Sequence, residues 1–248
     1  MRISDFQRET LSDYPGKISS IVFIRGCNYR CPTCHAKQII EMKKELDEEI
    51  IFDYIEPRKD WIEGVVICGG EPTRRGDLKY FIRKIKEKGL AVKLDTNGSN
   101  FNALENLREE KLIDYVAMDV KGPMSLYAKL VGKDFVDERD EIIKGIGAVS
   151  LFPDYEFRTT VVPLYEDSKV RWMTPKEIGE TAKMICDYTG YKFHKFFLQK
   201  FIARDKNEMI DKKFARENLP EEFLKTPKRL LDECLIEAKK YLPNTKIR

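Results

Sequence analysis

Ile18-Ser19-Ser20-Ile21-Val22-Phe23-Ile24-Arg25-Gly26-Cys27-Asn28-Tyr29-Arg30-Cys31-Pro32-Thr33-Cys34 joins a short apolar run to three closely spaced cysteines. The run 18–24 is rich in β-branched residues and stops at Arg25-Gly26, the pattern of a buried strand. Five more runs of this kind follow. Residues 64–68 end at Gly69-Gly70, residues 91–95 at Thr96-Asn97-Gly98, and residues 115–120 at Gly122-Pro123. Residues 156–162 end at Pro163, and 195–198 is the last. Helical periodicity fills most of the gaps. Leu78, Phe81, Ile82 and Ile85 fall on one helix face, and Thr174-Pro175-Lys176-Glu177 carries a capping box. Thr226-Pro227 opens a last helix with Leu230, Leu231, Cys234, Leu235, Ala238, Tyr241 and Leu242 along one stripe. Six alternations of strand and helix predict an α/β fold with a parallel sheet and right-handed crossovers.

The chain has 248 residues, 42% hydrophobic and 35% charged, against a typical charged share of about 25%. That composition excludes disordered, collagen-like and membrane-spanning classes. No run reaches the roughly 18–20 apolar residues of a membrane helix, and residues 1–6 lack the apolar core of a signal peptide. A cytoplasmic, membrane-free protein with reduced thiols is the expectation. Forty-five Lys and Arg against 42 Asp and Glu leave a formal charge of +3, which argues against nucleic acid as a partner. Abundant Lys and Glu beside three Gln resembles the composition of heat-adapted proteins. No repeat or flexible linker divides the chain. Residues 204–222 are its least patterned stretch, and the charge run 206–217 reads as a solvated face.

Of six cysteines, Cys27, Cys31 and Cys34 form CxxxCxxC directly after the first strand. Three thiolates are one short of the four that close a structural zinc site or a ferredoxin cluster. A cubane held by three would leave one iron open to a small molecule. A zinc knuckle completed by His35 is the alternative, but it lacks a second ligand pair at zinc-finger spacing. Gly69-Gly70-Glu71-Pro72 ends the second strand, and its glycines allow a ligand to approach the backbone. Sites at successive strand ends share one face of a parallel barrel.

With these two motifs the chain resembles the radical S-adenosylmethionine enzymes. The resemblance implies a partial TIM-type (β/α)6 barrel with parallel strands and a 4Fe-4S cluster at the C-terminal strand face. Cys27, Cys31 and Cys34 would be its metal ligands. Backbone around Gly69, Gly70 and Glu71 would bind the amino group of S-adenosylmethionine. Electron transfer from the cluster would cleave the cofactor to a 5′-deoxyadenosyl radical that abstracts a hydrogen atom, with no catalytic residue beyond cluster and cofactor. Residues 11–17, 23–28, Asp95-Thr96-Asn97-Gly98 and Asp119-Val120-Lys121 are similar to motifs of the enzymes that activate anaerobic ribonucleoside-triphosphate reductase and pyruvate formate-lyase. By that resemblance Asp95, Thr96 and Asp119 would form a monovalent-cation site beside the cofactor, Lys121 would reach the cofactor, and Arg158 would lie near its carboxylate.

Two positions depart from the pattern. Thr33 stands where an aromatic residue is usual, and Cys68 where Ser is frequent; Cys68 reads as a buried small residue. Cys186 and Cys234 read as core residues. His35 could shield the cluster, and His194 could face cofactor or solvent. The expected organisation is a single radical SAM domain over 1–248: an N-terminal extension 1–17, a barrel 18–202, and a charged connection with a C-terminal helix over 203–248. The expected function is that of an activase, abstracting a hydrogen atom from a glycine of a glycyl-radical enzyme under anaerobic conditions. The partner would be anaerobic ribonucleoside-triphosphate reductase, with an external one-electron donor such as ferredoxin or flavodoxin. The alternative is radical modification of an RNA nucleoside, a peptide or a small metabolite.

Overall fold

A computed structural model describes residues 1–41, 45–132 and 138–248. Its strands are β1 (Ile3–Thr10), β2 (Ser19–Ile24), β3 (Gly64–Gly69), β4 (Ala91–Thr96), β5 (Tyr115–Asp119), β6 (Tyr155–Val161), β7 (Pro163–Glu166), β8 (Lys169–Trp172), β9 (Phe196–Lys200) and β10 (Lys246–Ile247). Its helices are α1 (Lys37–Glu41), α2 (Glu48–Ile55), α3 (Leu78–Glu87), α4 (Phe101–Glu109), α5 (Tyr127–Val131), α6 (Arg139–Val149), α7 (Pro175–Thr189) and α8 (Lys228–Lys239). The main sheet runs β1-β2-β3-β4-β5-β6-β9-β10, with every neighbouring pair parallel except β1 with β2. Each parallel crossover carries at least one helix, as parallel pairing requires. Among the described residues no helix is long and apolar enough to cross a membrane.

All six expected strands are present, in sequence order across the sheet. The sheet has two strands more, and a separate β7–β8 hairpin stands apart from it. Strand β1 lies within the stretch expected as an extension. Its Asp5, Gln7, Arg8 and Glu9 hide the apolar signal, because an antiparallel edge strand can leave most side chains in water. The hairpin turns at Asp167-Ser168, both at positive φ, and its four-residue strands are too short to show periodicity.

Central strands are covered on both sides, so Val65, Val66 and Ile67 are almost wholly buried. One face of the sheet, with Val22, Ile67, Leu94 and Met118, joins the large core beneath the helices. There α3 buries Leu78, Phe81, Ile82 and Ile85. At about 1.5–3 kcal/mol each, these side chains hold a ten-residue helix that would be marginal alone. The Thr174 capping box starts α7 as expected, whereas α8 starts at Lys228. Thr226 instead donates its hydroxyl to Val161 O and accepts from Phe201 N, tying β6 to the chain after β9.

The opposite face holds a second apolar cluster of Tyr14, Ile21, Val66, Tyr115 and Ala117. The two-residue strand period then places Cys68, Asp95, Asp119 and Arg158 on this face, nearer the C-terminal strand ends. The inner face therefore passes from apolar to ionic along the strands.

Candidate functional site

The ends of β2 and β3 meet closely. Gly69 has φ +108°, and a Cβ on Gly70 would lie 1.8 Å from Gly26 O. Gly70 N donates to Ile24 O at 2.8 Å, and Glu71 N donates to Gly26 O at 2.9 Å. The glycine pair thus admits the backbone that leads into the cysteines. Glu71 is 1% exposed. Its Oε1 accepts from Thr73 N (3.0 Å), Thr73 Oγ1 (2.5 Å) and Thr96 Oγ1 (2.8 Å), and its Oε2 accepts from Asn97 N at 2.7 Å. Burial raises its pKa, and these donors pull it back. The carboxylate joins the ends of β3 and β4.

Neighbouring loops hold the cysteine segment. Asn97 Nδ2 donates to Asn28 Oδ1 (3.0 Å), Asn28 Nδ2 to Ser99 Oγ (2.9 Å), and Arg30 N to Val131 O (2.9 Å). Tyr29 N donates to Cys27 Sγ (3.3 Å) and Ala36 N to Cys34 Sγ (3.4 Å). From the far end of the chain, Ile210 N reaches Cys34 O at 3.2 Å and Asp211 N reaches Pro32 O at 3.3 Å.

Cys27, Cys31 and Cys34 line a cavity of about 280 Å³ with Gly70, Asp119 and Lys121. An adjoining cavity of about 240 Å³ shares Cys31, Cys34, Asp119, Lys121 and Arg158 and extends past Thr160 and Gln199. Burial pushes all three thiols up, Cys31 to about 12, while the Lys121 ammonium draws each of them down. Among the described residues no three His, Cys, Asp or Glu side chains are placed to hold a single metal ion. The thiols do perturb one another's ionisation across the shared cavity, as Cys31 feels both Cys34 and Cys27. That placement fits a cubane, whose protein ligands each take a different iron.

Beside the thiols is an ionic array. Arg158 donates from Nη1 to Asp95 Oδ2 (2.9 Å) and from Nε to Asp119 Oδ1 (2.8 Å). Lys121 Nζ donates to Asp119 Oδ2 at 3.1 Å, and buried Lys93 Nζ donates to Asp95 Oδ1. Burial works to raise the Asp119 pKa, but Arg158 and Lys121 outweigh it and hold the carboxyl well below its ordinary range. Burial likewise opposes the charge on Lys121, which Asp119 and Cys31 more than restore.

The structure therefore gathers Gly69, Gly70, Glu71, Asp95, Asp119, Lys121 and Arg158 around the three cysteines. Every carboxylate oxygen of Asp95 and Asp119 already meets a side-chain cation, and Thr96 turns its hydroxyl to Glu71. These contacts form a salt-bridge array at the residues expected to border the cofactor. Cys68 borders the cavity from within the strand face, and burial raises its thiol pKa. His35 packs on Phe201 at 5.5 Å between ring centroids. His194 is 2% exposed and precedes β9, at the end of the strands away from the cysteines. Cys234 is fully buried, and Cys186 packs against the core. The run 206–217 is only partly solvated: Met209, Phe214 and Ala215 are buried. Sequence reading missed Lys93, Asn28 and the 209–211 brace. The one available signal was a lysine inside an apolar strand run.

Residues 21–167 match the family model of the Radical SAM superfamily. A Methanocaldococcus jannaschii protein named for glycyl-radical enzyme activation is 35% identical over 241 residues, 95% of this chain and 91% of that one. The pyruvate formate-lyase-activating enzyme of Clostridium pasteurianum is 30% identical over 180 residues, 68% of this chain and 71% of that one. In fold, a radical SAM methyltransferase from Sphaerobacter thermophilus superposes on 95% of this chain and 67% of its own, with a TM-score of 0.63 at 14% identity. A cysteine triad at the end of the first parallel strand, the glycine turn beside it and these matches have one consequence: the chain belongs to the radical SAM superfamily.

Proposed function

We propose that this enzyme is an activase, which abstracts a hydrogen atom from a backbone glycine of a glycyl-radical enzyme, with anaerobic ribonucleoside-triphosphate reductase as the partner. Radical SAM enzymes use a 4Fe-4S cluster and S-adenosylmethionine. When bound, these supply the one-electron reductive cleavage that yields methionine and, after hydrogen transfer from the glycine Cα, 5′-deoxyadenosine. Cys27, Cys31 and Cys34 would hold the cluster as thiolates, and Lys121 offsets their negative charge. Lys93, Lys121 and Arg158 face the two carboxylates of Asp95 and Asp119, and Lys121 and Arg158, which also line the cavities beside the thiols, would meet the cofactor carboxylate. We further read residues 1–248 as one radical SAM domain, since β1 and β10 extend the same sheet. The electron would come from an external donor of the ferredoxin or flavodoxin class, in a reducing, anaerobic cytoplasm.

One observation carries the reading: similarity to the archaeal relative named for glycyl-radical enzyme activation spans nearly the full length of both chains. Electron paramagnetic resonance tests it on the reconstituted enzyme with S-adenosylmethionine, dithionite and the reductase from the same source. A glycyl-radical doublet is expected, and is lost on replacing Cys27, Cys31 or Cys34 by Ala. Formation of 5′-deoxyadenosine without a glycyl radical would sink the reductase as partner and leave the cofactor chemistry standing.

A further inference from the structure

A third cavity, of about 220 Å³, lies on the outer side of the cysteine loop, between Pro32, the hairpin strand β7 and the segment around Phe214. It shares Thr33, Leu130 and Val162 with the 240 Å³ cavity beside Cys31 and Cys34, so those three residues form a common wall. Thr33 is small where the family resemblance calls for an aromatic ring, which keeps that wall thin. The third cavity contains no thiol and none of Asp95, Asp119, Lys121 and Arg158. Leu164 and Phe214, each 4% exposed, and the Tyr165 ring, which meets Phe214 edge-on at 5.1 Å, form an apolar patch in it, and Lys129, Asp211 and Lys213 border that patch. Among the described residues β7 pairs only with β8; on its other edge Pro163 can accept but not donate a main-chain hydrogen bond, so a partner strand would bond along the half-buried residues Tyr165 and Glu166.

We propose that the 220 Å³ cavity extends the active-site opening into one track for the protein substrate: an extended segment of the partner runs along β7, its glycine at the mouth of the 240 Å³ cavity that would hold the cofactor and an adjacent apolar side chain in the 220 Å³ pocket. The inference rests on the activase reading and supplies its docking site. Continuity with the cysteine cavity favours this occupant, because Thr33, Leu130 and Val162 line both cavities and a chain segment can span them. Strand edges beside side-chain pockets are a common way of holding extended peptide, with main-chain bonds for affinity and a pocket for selectivity.

The test measures glycyl-radical formation on the anaerobic reductase as a function of reductase concentration. It compares wild-type holoenzyme with Leu164→Trp, which fills the pocket, and Tyr165→Ala, which removes a wall. We expect KM for the reductase to rise tenfold or more in both variants. The 5′-deoxyadenosine formed with dithionite in the absence of the reductase is expected to stay at the wild-type level, which shows that the fold and cofactor site survive. If Leu164→Trp fails to fold, Tyr165→Ala decides. An unchanged KM in a folded variant overturns the track while leaving the activase reading intact. A wild-type enzyme that forms 5′-deoxyadenosine but no radical on the reductase overturns the reductase as the partner, and the track for its segment falls with it.

Discussion

Both carboxylate oxygens of Glu71 accept a backbone N–H, Oε1 from Thr73 and Oε2 from Asn97. Gln cannot reproduce this, because whichever atom becomes the amide nitrogen points a donor at a donor. Glu71→Gln is expected to cost about 1–3 kcal/mol, read as a lower urea midpoint. It should also lower the iron retained on anaerobic reconstitution, since Asn97 in turn supports Asn28 within the cysteine loop. The acidic residue after two glycines was visible in the sequence, but its direction was not. A buried carboxylate that gathers loops and one that meets a ligand have the same one-dimensional pattern. Only the positions of Thr73, Thr96 and Asn97 separate them. The same holds for Asp95 and Asp119, whose partners Lys93 and Arg158 come from two different strands.

At the scale of elements, the cysteine loop is shaped by what presses on it. Gly70 is in contact with the carbonyl of Gly26, and a methyl group there has no room short of moving backbone. Gly70→Ala should therefore displace the loop entry and break the short bonds from Gly70 N and Glu71 N. We expect near-complete loss of bound iron and of the visible absorption of the reconstituted cluster, with far-ultraviolet circular dichroism close to wild type. Retention of a full iron complement would show that the loop tolerates the shift. The six central strands were legible because strands buried on both faces read as continuous apolar runs. Strand β1, the hairpin and two-residue β10 were not, being edge or short elements whose pairing depends on a neighbour. The buried part of 209–219 was hidden because Met209, Phe214 and Leu219 are scattered among charges without a period.

For the whole molecule, stability should fall with acid on account of His194, far from the site. Tyr155 Oη lies 2.8 Å from its Nδ1, and Thr189 Oγ1, which donates to Ile185 O, lies 2.7 Å from its Nε2. Nε2 therefore donates to Thr189, and Nδ1 of the neutral ring accepts from Tyr155. Burial lowers its pKa from 6.5 to about 4. Above pH 6.5 folded and unfolded chains both carry the neutral ring. As pH falls from there towards 4, only the unfolded chain takes up the proton, so stability is lost. Urea unfolding should show about 2 kcal/mol of this loss between pH 7.5 and 5. The His194→Gln variant should lose less over the same range, and an equal loss would remove His194 as the cause. By itself the sequence determined the α/β class, the order of the six parallel strands and the thiols at the first strand end, because hydrophobic period and cysteine spacing are local properties of a chain. Tertiary structure alone decided that the glycine pair receives backbone, that Glu71 turns inward, that Arg158 bridges two aspartates and that residues 209–211 brace the cysteines. Each of these depends on which distant segments become neighbours, and that is settled only when the sheet closes its strands side by side.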